Sequence, residues 1–251
     1  MVNILLNGCN GHMGKEIIKH VENTDNLNII CGVDKVDGGD NDFPVYTDIN
    51  NIKELPDVII DFSIPEASIN ILNFARANSI PIVIATTGFS EEQLEHIKIC
   101  SKYIPIFKSS NMSLEINIMN ILVNKLSNLL TDCDIEIVET HHRNKIDAPS
   151  GTALMLAESI KSALGKNVSF TYDRHCCNTK RLKNEIGIHS IRGGTEVGKH
   201  SVLFLGDDES FEITHTVSSR SVFAKGAIEA VKFILNKLPG LYSMDELVTL
   251  N

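Results

Sequence analysis

His141, His142, Arg143 and Lys145 crowd into a few positions, and Asp147-Ala148-Pro149-Ser150-Gly151-Thr152-Ala153 follows at once. A free imidazole titrates at about 6.5, close to working pH, so His141 is suited to acid–base work. Lys145 adds a second proton-bearing group and a positive charge. Ser150, Gly151 and Thr152 contribute bare backbone and two hydroxyls. The apolar residues of 134–138 predict a strand before this block. Leu154, Leu156, Ala157, Ile160 and Leu164 fall at helical spacing after it. Asp147 or Ser150 can cap that helix, and Pro149 suits its first turn. The order is therefore strand, basic loop, helix N-terminus. Free N–H groups and a partial positive charge at a helix start favour an anion, most simply a carboxylate. Two solvated loop histidines are the plainer alternative, and the residues that follow them argue against it.

A second block, Gly8-Cys9-Asn10-Gly11-His12-Met13-Gly14, sits between an apolar strand and a helical pattern. This is G-x-x-G-x-x-G, a variant of the dinucleotide fingerprint. Its glycines allow the tight turn, the approach of a pyrophosphate and close helix–sheet packing. Asp34, twenty positions beyond Gly14, ends the next strand and can accept hydrogen bonds from the adenosine ribose, which favours NADH. Lys35 beside it can meet a 2′-phosphate and keeps NADPH open.

The first block, His141-His142-x-x-Lys145-x-Asp147-Ala148-Pro149-Ser150-Gly151-Thr152-Ala153, resembles the signature of the 4-hydroxy-tetrahydrodipicolinate reductase family, formerly called dihydrodipicolinate reductase. The resemblance implies reduction of a cyclic, unsaturated dicarboxylate by NADH or NADPH, on the bacterial and plant route to diaminopimelate and lysine. It implies Lys145 as proton donor beside His141. It makes His142 a substrate-binding histidine, and Ser150, Gly151 and Thr152 the cradle of a substrate carboxylate. It also implies further cofactor contacts. The family's Gly-Thr-Thr-Gly loop corresponds to Ala85-Thr86-Thr87-Gly88, with Ala85 in place of the first glycine. The segment near the nicotinamide corresponds to Ser109-Ser110-Asn111-Met112, with Met112 where many members carry an aromatic residue. A homotetramer, built through the sheet of the second domain, is implied as well. The similarity runs from Ile4 to Leu250, and the region 35–55 is short compared with long family members.

The elements that must position these residues follow from periodicity. Strands are expected at 2–7, 27–33, 58–62, 82–85 and 104–108, with helices at 13–21, 65–78 and 91–103 between them. Such alternation predicts an α/β fold: a Rossmann-type parallel sheet with right-handed crossovers. After Asn111 a long apolar-rich helix, 114–130, precedes the basic block. Strands at 169–172, 186–191, 200–205 and 210–217 then dominate, with a polar, exposed loop at 173–184. This predicts an α+β second domain with an open, mainly antiparallel or mixed sheet. A last helix, 222–238, ends at Pro239-Gly240. The expected division is 1–112 plus 221–251 for the dinucleotide domain and 113–220 for the substrate domain. The cleft is expected at the carboxyl ends of the parallel strands.

Composition narrows the class. With 251 residues, 43% hydrophobic and 22% charged, the chain is an ordinary globular one. A formal net charge of −9 argues against a nucleic-acid partner, while a local basic cluster can still attract an anionic substrate. No leader-like N-terminus and no apolar run of membrane length is present, so a cytoplasmic protein with no membrane partner is expected. The six cysteines read as thiols, with Cys9, Cys31, Cys100 and Cys133 as small buried residues. Cys176-Cys177 beside His175 lacks metal-ligand spacing, and no metal is expected. Two other functions fit less well. A non-catalytic nucleotide sensor has no use for a proton donor beside an anion cradle. A dehydrogenase for another small dicarboxylate does not call for the intact 147–153 stretch.

Overall fold

The computed structural model describes residues 1–38, 41–165, 167–175 and 179–249, so Cys176 and Cys177 lie outside the described residues. The chain divides into two compact units, Met1–Leu114 with Arg220–Asn251, and Glu115–Ser219. The elements run β1 (Val2–Asn7), α1 (His12–Glu22), β2 (Leu27–Val33), β3 (Val45–Tyr46), β4 (Val58–Asp61), α2 (Pro65–Ala77), β5 (Ile82–Ile84), α3 (Glu91–Cys100) and β6 (Pro105–Lys108). Next come α4 (Leu114–Leu129), β7 (Asp134–His141), α5 (Gly151–Leu164), β8 (Ser169–Thr171), β9 (Glu185–Arg192), β10 (Gly198–Leu205) and β11 (Ser210–Val217). The closing segment is α6 (Ser221–Ile234), β12 (Gly240–Tyr242) and α7 (Met244–Thr249).

In the first unit seven parallel strands lie in the order β12-β6-β5-β4-β1-β2-β3. Alternate residues of each central strand feed two cores. Ile4, Leu6, Val58 and Ile60 pack against Ile17 of α1 and Ala227, Val231 and Ile234 of α6. Leu5, Ile59 and Ile82 pack against Ile71 and Leu72 of α2 and Ile97 of α3. Helices cover both faces, which is why these strands are apolar throughout rather than alternating. Each fully buried Ile or Leu contributes about 1.5–3 kcal/mol of transfer free energy. Local signals start the helices: Pro65 stands at the first turn of α2, and Ser90 and Gln93 form a reciprocal capping box on α3. From β1 the chain builds outward to β3, and from β4 it builds the other way to β6. The order therefore reverses between β1 and β4, where open α/β sheets bind ligands.

The second unit has a mixed five-stranded sheet, β11-β10-β7-β9-β8, with β7, β9 and β8 parallel and β10 and β11 antiparallel. Ile135, Ile137, Ile186, Ile188, Val202 and Phe204 on one face pack against Ile116, Met119 and Val123 of α4 and Leu156 and Ile160 of α5. The other face bears Glu136, which pairs with Arg174, Arg181 and His189.

Several expectations need correction. The strand expected to stop at Val138 continues to His141. The closing helix, expected to run to Leu238, stops at Ile234 and leaves Leu238 79% exposed. The described residues of 173–184 form the expected loop and most are exposed, but Arg174 and Arg181 are half-buried, Arg174 holding Glu136 and Glu185 and Arg181 holding Asp134 and Glu136. Cys133 is half-buried, whereas Cys9, Cys31 and Cys100 are buried. The short strands β3 and β12 and the helix α7 were not foreseen.

Candidate active site

The cofactor side is built at the sheet's reversal. Gly8 follows β1 with φ of +83°, a conformation that L side chains rarely adopt, and a Cβ there would run into the Phe62 carbonyl. A Cβ on Gly14 would strike the Gly8 and Cys9 carbonyls, so α1 can approach β1 only with glycine at this position. Gly11 caps α1 without a side-chain hydrogen bond, which leaves the helix start for a ligand. A cavity of about 770 Å³ opens here, lined by Gly8, Asn10, Gly11, Asp34, Lys35 and Ser63 among others. Asp34 is already engaged: Oδ2 accepts the Asn10 N–H and Oδ1 the Lys35 N–H, each at 2.8 Å. The cradle, the uncapped helix start and the cavity together fit a dinucleotide.

The sequence-predicted cofactor residues do not all reach that cavity. Cys9 is fully buried, with its thiol pushed up to about 11 by burial and by the charge of Asp34, so only its backbone belongs to the loop. His12 is exposed at the start of α1, and Met13 packs against the core. Thr86 is buried, and its hydroxyl donates to Asp61 Oδ2 at 2.9 Å while accepting the Ser63 N–H at 3.0 Å. Asn7 and Ser63 donate to the other oxygen of Asp61 at 2.7 and 2.5 Å. Burial raises the Asp61 carboxyl despite these hydrogen bonds. This buried knot ties the loops after β1, β4 and β5 together, and the Thr86 hydroxyl is a structural tie. Ala85 packs on the core and Thr87 is exposed. Ser109 binds Asn111 through its hydroxyl, and Ser110 is exposed. Met112 is 2% exposed and sits in the apolar core, so it offers a nicotinamide no surface to stack on.

The basic block lies in the second unit. The buried face of β7 reads Ile135, Ile137, Glu139, His141: two apolar residues, then two ionisable ones at the strand's end. Glu139 is fully buried and is met from every side. Oε2 accepts from His141 Nδ1 at 2.5 Å and Arg192 Nη1 at 2.8 Å; Oε1 accepts from Arg192 Nη2 at 2.7 Å and the Ser150 N–H at 3.1 Å. Strand register explains the gathering, since Arg192 on β9 lies beside His141 and His200 on β10 lies opposite Glu139. Burial alone would raise the Glu139 carboxyl, but hydrogen bonds from Arg192, Ser190 and His141 bring it down to about 2. Burial lowers His141, against the pull of Glu139 and with help from Lys145 and Arg192. Burial and the neighbouring His141 bring His200 down to about 4.

Past the strand, His142 is half-buried and donates its N–H to the Glu196 carbonyl at 2.7 Å. Arg143 is exposed, and Lys145 Nζ lies 2.8 Å from Asp147 Oδ1. Ser150, not Asp147, caps α5, and Pro149 stands before the cap rather than in the first turn. Ser150 is 2% exposed; its Oγ accepts the Ala153 N–H at 3.2 Å and bonds His200 Nε2 at 3.0 Å, so its hydroxyl holds the helix start in place. Gly151 is exposed, and a Cβ on it would meet open space. Thr152 is half-buried beside it. Glu139, Arg192 and His200 escaped the sequence reading. Among the described residues no three His, Cys, Asp or Glu side chains gather as metal ligands, and no helix is long and apolar enough to cross a membrane.

The profile described as "Dihydrodipicolinate reductase, N-terminus" matches residues 2–112, and "Dihydrodipicolinate reductase, C-terminus" matches residues 115–248. The chain belongs to the dihydrodipicolinate reductase family. Within it, the 4-hydroxy-tetrahydrodipicolinate reductase of Caldanaerobacter subterraneus subsp. tengcongensis is 48% identical over 248 residues, covering 99% of this chain and 98% of that one. The enzyme of the same name from Clostridium tetani is 46% identical, covering 98% and 96%. Among solved structures, a dipicolinate-bound dihydrodipicolinate reductase from Paenisporosarcina sp. TG-14 superposes with a TM-score of 0.74 at 26% identity, covering 97% of each chain.

Proposed function

We propose that this chain reduces 4-hydroxy-tetrahydrodipicolinate to tetrahydrodipicolinate with NADH or NADPH, in the synthesis of diaminopimelate and lysine. The observation that carries the proposal is the basic turn running from β7 onto the N-terminus of α5, in a chain whose other unit holds a dinucleotide cradle. The net change takes up a hydride and a proton and releases the 4-hydroxyl as water. When bound, the reduced nicotinamide supplies the hydride. Gly8, Asn10 and Gly11 hold its phosphates and Asp34 its adenosine ribose.

The chain's own residues bind the dicarboxylate and manage the proton. Gly151 and Thr152 present backbone and hydroxyl to one carboxylate at the start of α5. His142 binds the substrate, and Arg143 stays in solvent. Lys145 holds the transferable proton at Nζ, with Asp147 orienting it. His141 does acid–base work through Nε2, the nitrogen that Glu139 does not hold.

A homotetramer formed through the helix-free face of the second unit's sheet belongs to the same reading. Ile191, 50% exposed there, supports it. Light scattering tests that size. A cytoplasmic location is supported by the free thiols.

The experiment is a coupled assay. Substrate is made in place from pyruvate and aspartate semialdehyde by the preceding synthase, NADH or NADPH is added, and nicotinamide absorbance is followed. Substrate-dependent loss of absorbance is expected. A protein that binds the cofactor yet never oxidises it would be a sensor.

A further inference from the structure

We infer that Glu139 is a positioning residue: it fixes the proton of His141 on Nδ1, so that Nε2 faces the substrate as an acceptor and Lys145 is left as the donor. The inference rests on the proposed reductase reading. It brings in Glu139 and Arg192, which neither the glycine loop nor the basic loop contains.

The geometry gives Glu139 this task. A carboxylate with no exposure and two guanidinium hydrogen bonds stays ionised, and an ionised carboxylate can only accept. The nitrogen that meets it at 2.5 Å, His141 Nδ1, must therefore carry the proton. The other ring nitrogen, Nε2, makes no hydrogen bond among the described residues. A side chain at position 198 would crowd it, since a Cβ on Gly198 would lie 3.1 Å away, and glycine there keeps its surroundings open. The groups around the ring disfavour a second proton. Arg192 and Lys145 are cationic, His200 packs edge-on with ring centroids 5.1 Å apart, and burial adds to both, against the single charge of Glu139.

The same carboxylate reaches further. Oε1 accepts the Ser150 N–H, and Arg192 Nη2 also donates to the Asp147 carbonyl at 2.7 Å. The buried Glu139 and the half-buried Arg192 thus set the imidazole, the cap of α5 and the loop that carries Lys145.

Histidine-selective ¹⁵N labelling of the resting protein tests this without any substrate. The signal of His141 is assigned by its loss in His141→Gln. Long-range ¹⁵N–¹H couplings at neutral pH are expected to show a neutral ring with the proton on Nδ1. A proton on Nε2, or an imidazolium, would overturn the inference.

Glu139→Gln has an amide that can donate to Nδ1, so the ring should lose that tautomer. Turnover should fall at least tenfold while NADH affinity is unchanged. The double variant Glu139→Gln/Arg192→Gln leaves no unpaired buried charge and serves if the single variant does not fold. Wild-type turnover in a folded variant whose tautomer has changed would equally overturn the inference. An inactive wild-type protein with the expected tautomer would sink the reductase reading and leave the tautomer assignment standing.

Discussion

Arg192 grips Glu139 with both terminal guanidinium nitrogens, at 2.8 and 2.7 Å, across adjacent parallel strands and inside the second unit. Removing one partner of such a pair strands a buried charge, which costs about 3–5 kcal/mol. Arg192→Ala is therefore expected to lose roughly 3 kcal/mol or more of stability in urea, together with most activity. A loss below about 0.5 kcal/mol, the scale of an ordinary surface substitution, would mean the pair is not the tie described above.

The buried histidines make stability depend on pH. His200 is 4% exposed and brought down to about 4, facing His141, Glu139, His215 and Lys145. Its folded pKa lies below the unfolded value of about 6.5, so the unfolded chain binds the proton more readily. Stability is then full above about pH 6.5 and falls as the pH drops toward 4, by on the order of 3 kcal/mol. Urea midpoints across that range should decline in the wild type and much less steeply in His200→Gln. Parallel slopes would assign the pH dependence to other groups.

How much of this was legible in the sequence differs from place to place. The glycine loop, Asp34 and the alternation of the first unit were readable because their causes are local: glycine tolerance, an apolar run, a helix start. The sequence pattern ends the strand at Val138 because the polar Glu139, Thr140 and His141 break its apolar run. In the sheet Glu139 is satisfied by Arg192 and the His141 ring packs against His200, partners that lie some fifty or sixty positions away in sequence. Nothing local announces such partners. Ser150 and Thr86 were read as ligand contacts because a hydroxyl in a motif looks available. Their hydrogen bonds to His200 and Asp61 become visible only in three dimensions. Two- and three-residue edge strands are too short for any period to show.

Cofactor choice should turn on Asp34. Asparagine at this position keeps one acceptor for the Asn10 N–H but removes the charge that repels a 2′-phosphate. A hydrogen bond to a charged group is worth about 1.5–3 kcal/mol. Asp34→Asn should therefore shift the ratio of NADPH to NADH affinity by at least roughly tenfold toward NADPH. Calorimetric titration of both cofactors measures it; affinities that fall in parallel would make Asp34 only a turn residue.

Thr152→Val keeps the shape of the α5 start and deletes one hydroxyl. The Michaelis constant for the dicarboxylate should rise about tenfold or more, as expected for a charge-assisted hydrogen bond, with NADH affinity unchanged. A specific loss of NADH binding would place the carboxylate elsewhere.

Lys145→Ala removes the proposed donor while leaving the dinucleotide cradle, in the other unit, untouched. Loss of a positioned acid typically lowers rate by about 10²–10⁴. Steady-state turnover beside a cofactor titration separates the two effects. Near wild-type turnover would take Lys145 out of the mechanism.

The central claim is that this chain passes a hydride from a nicotinamide to a cyclic dicarboxylate, and isotope transfer tests it most directly. The purified protein is given freshly generated substrate and NADH deuterated at both C4 positions, and the product is analysed by mass spectrometry. The account predicts tetrahydrodipicolinate carrying one deuterium on carbon, formed in step with the oxidised cofactor. Unlabelled product, or a cofactor that stays reduced while substrate is bound, would contradict it.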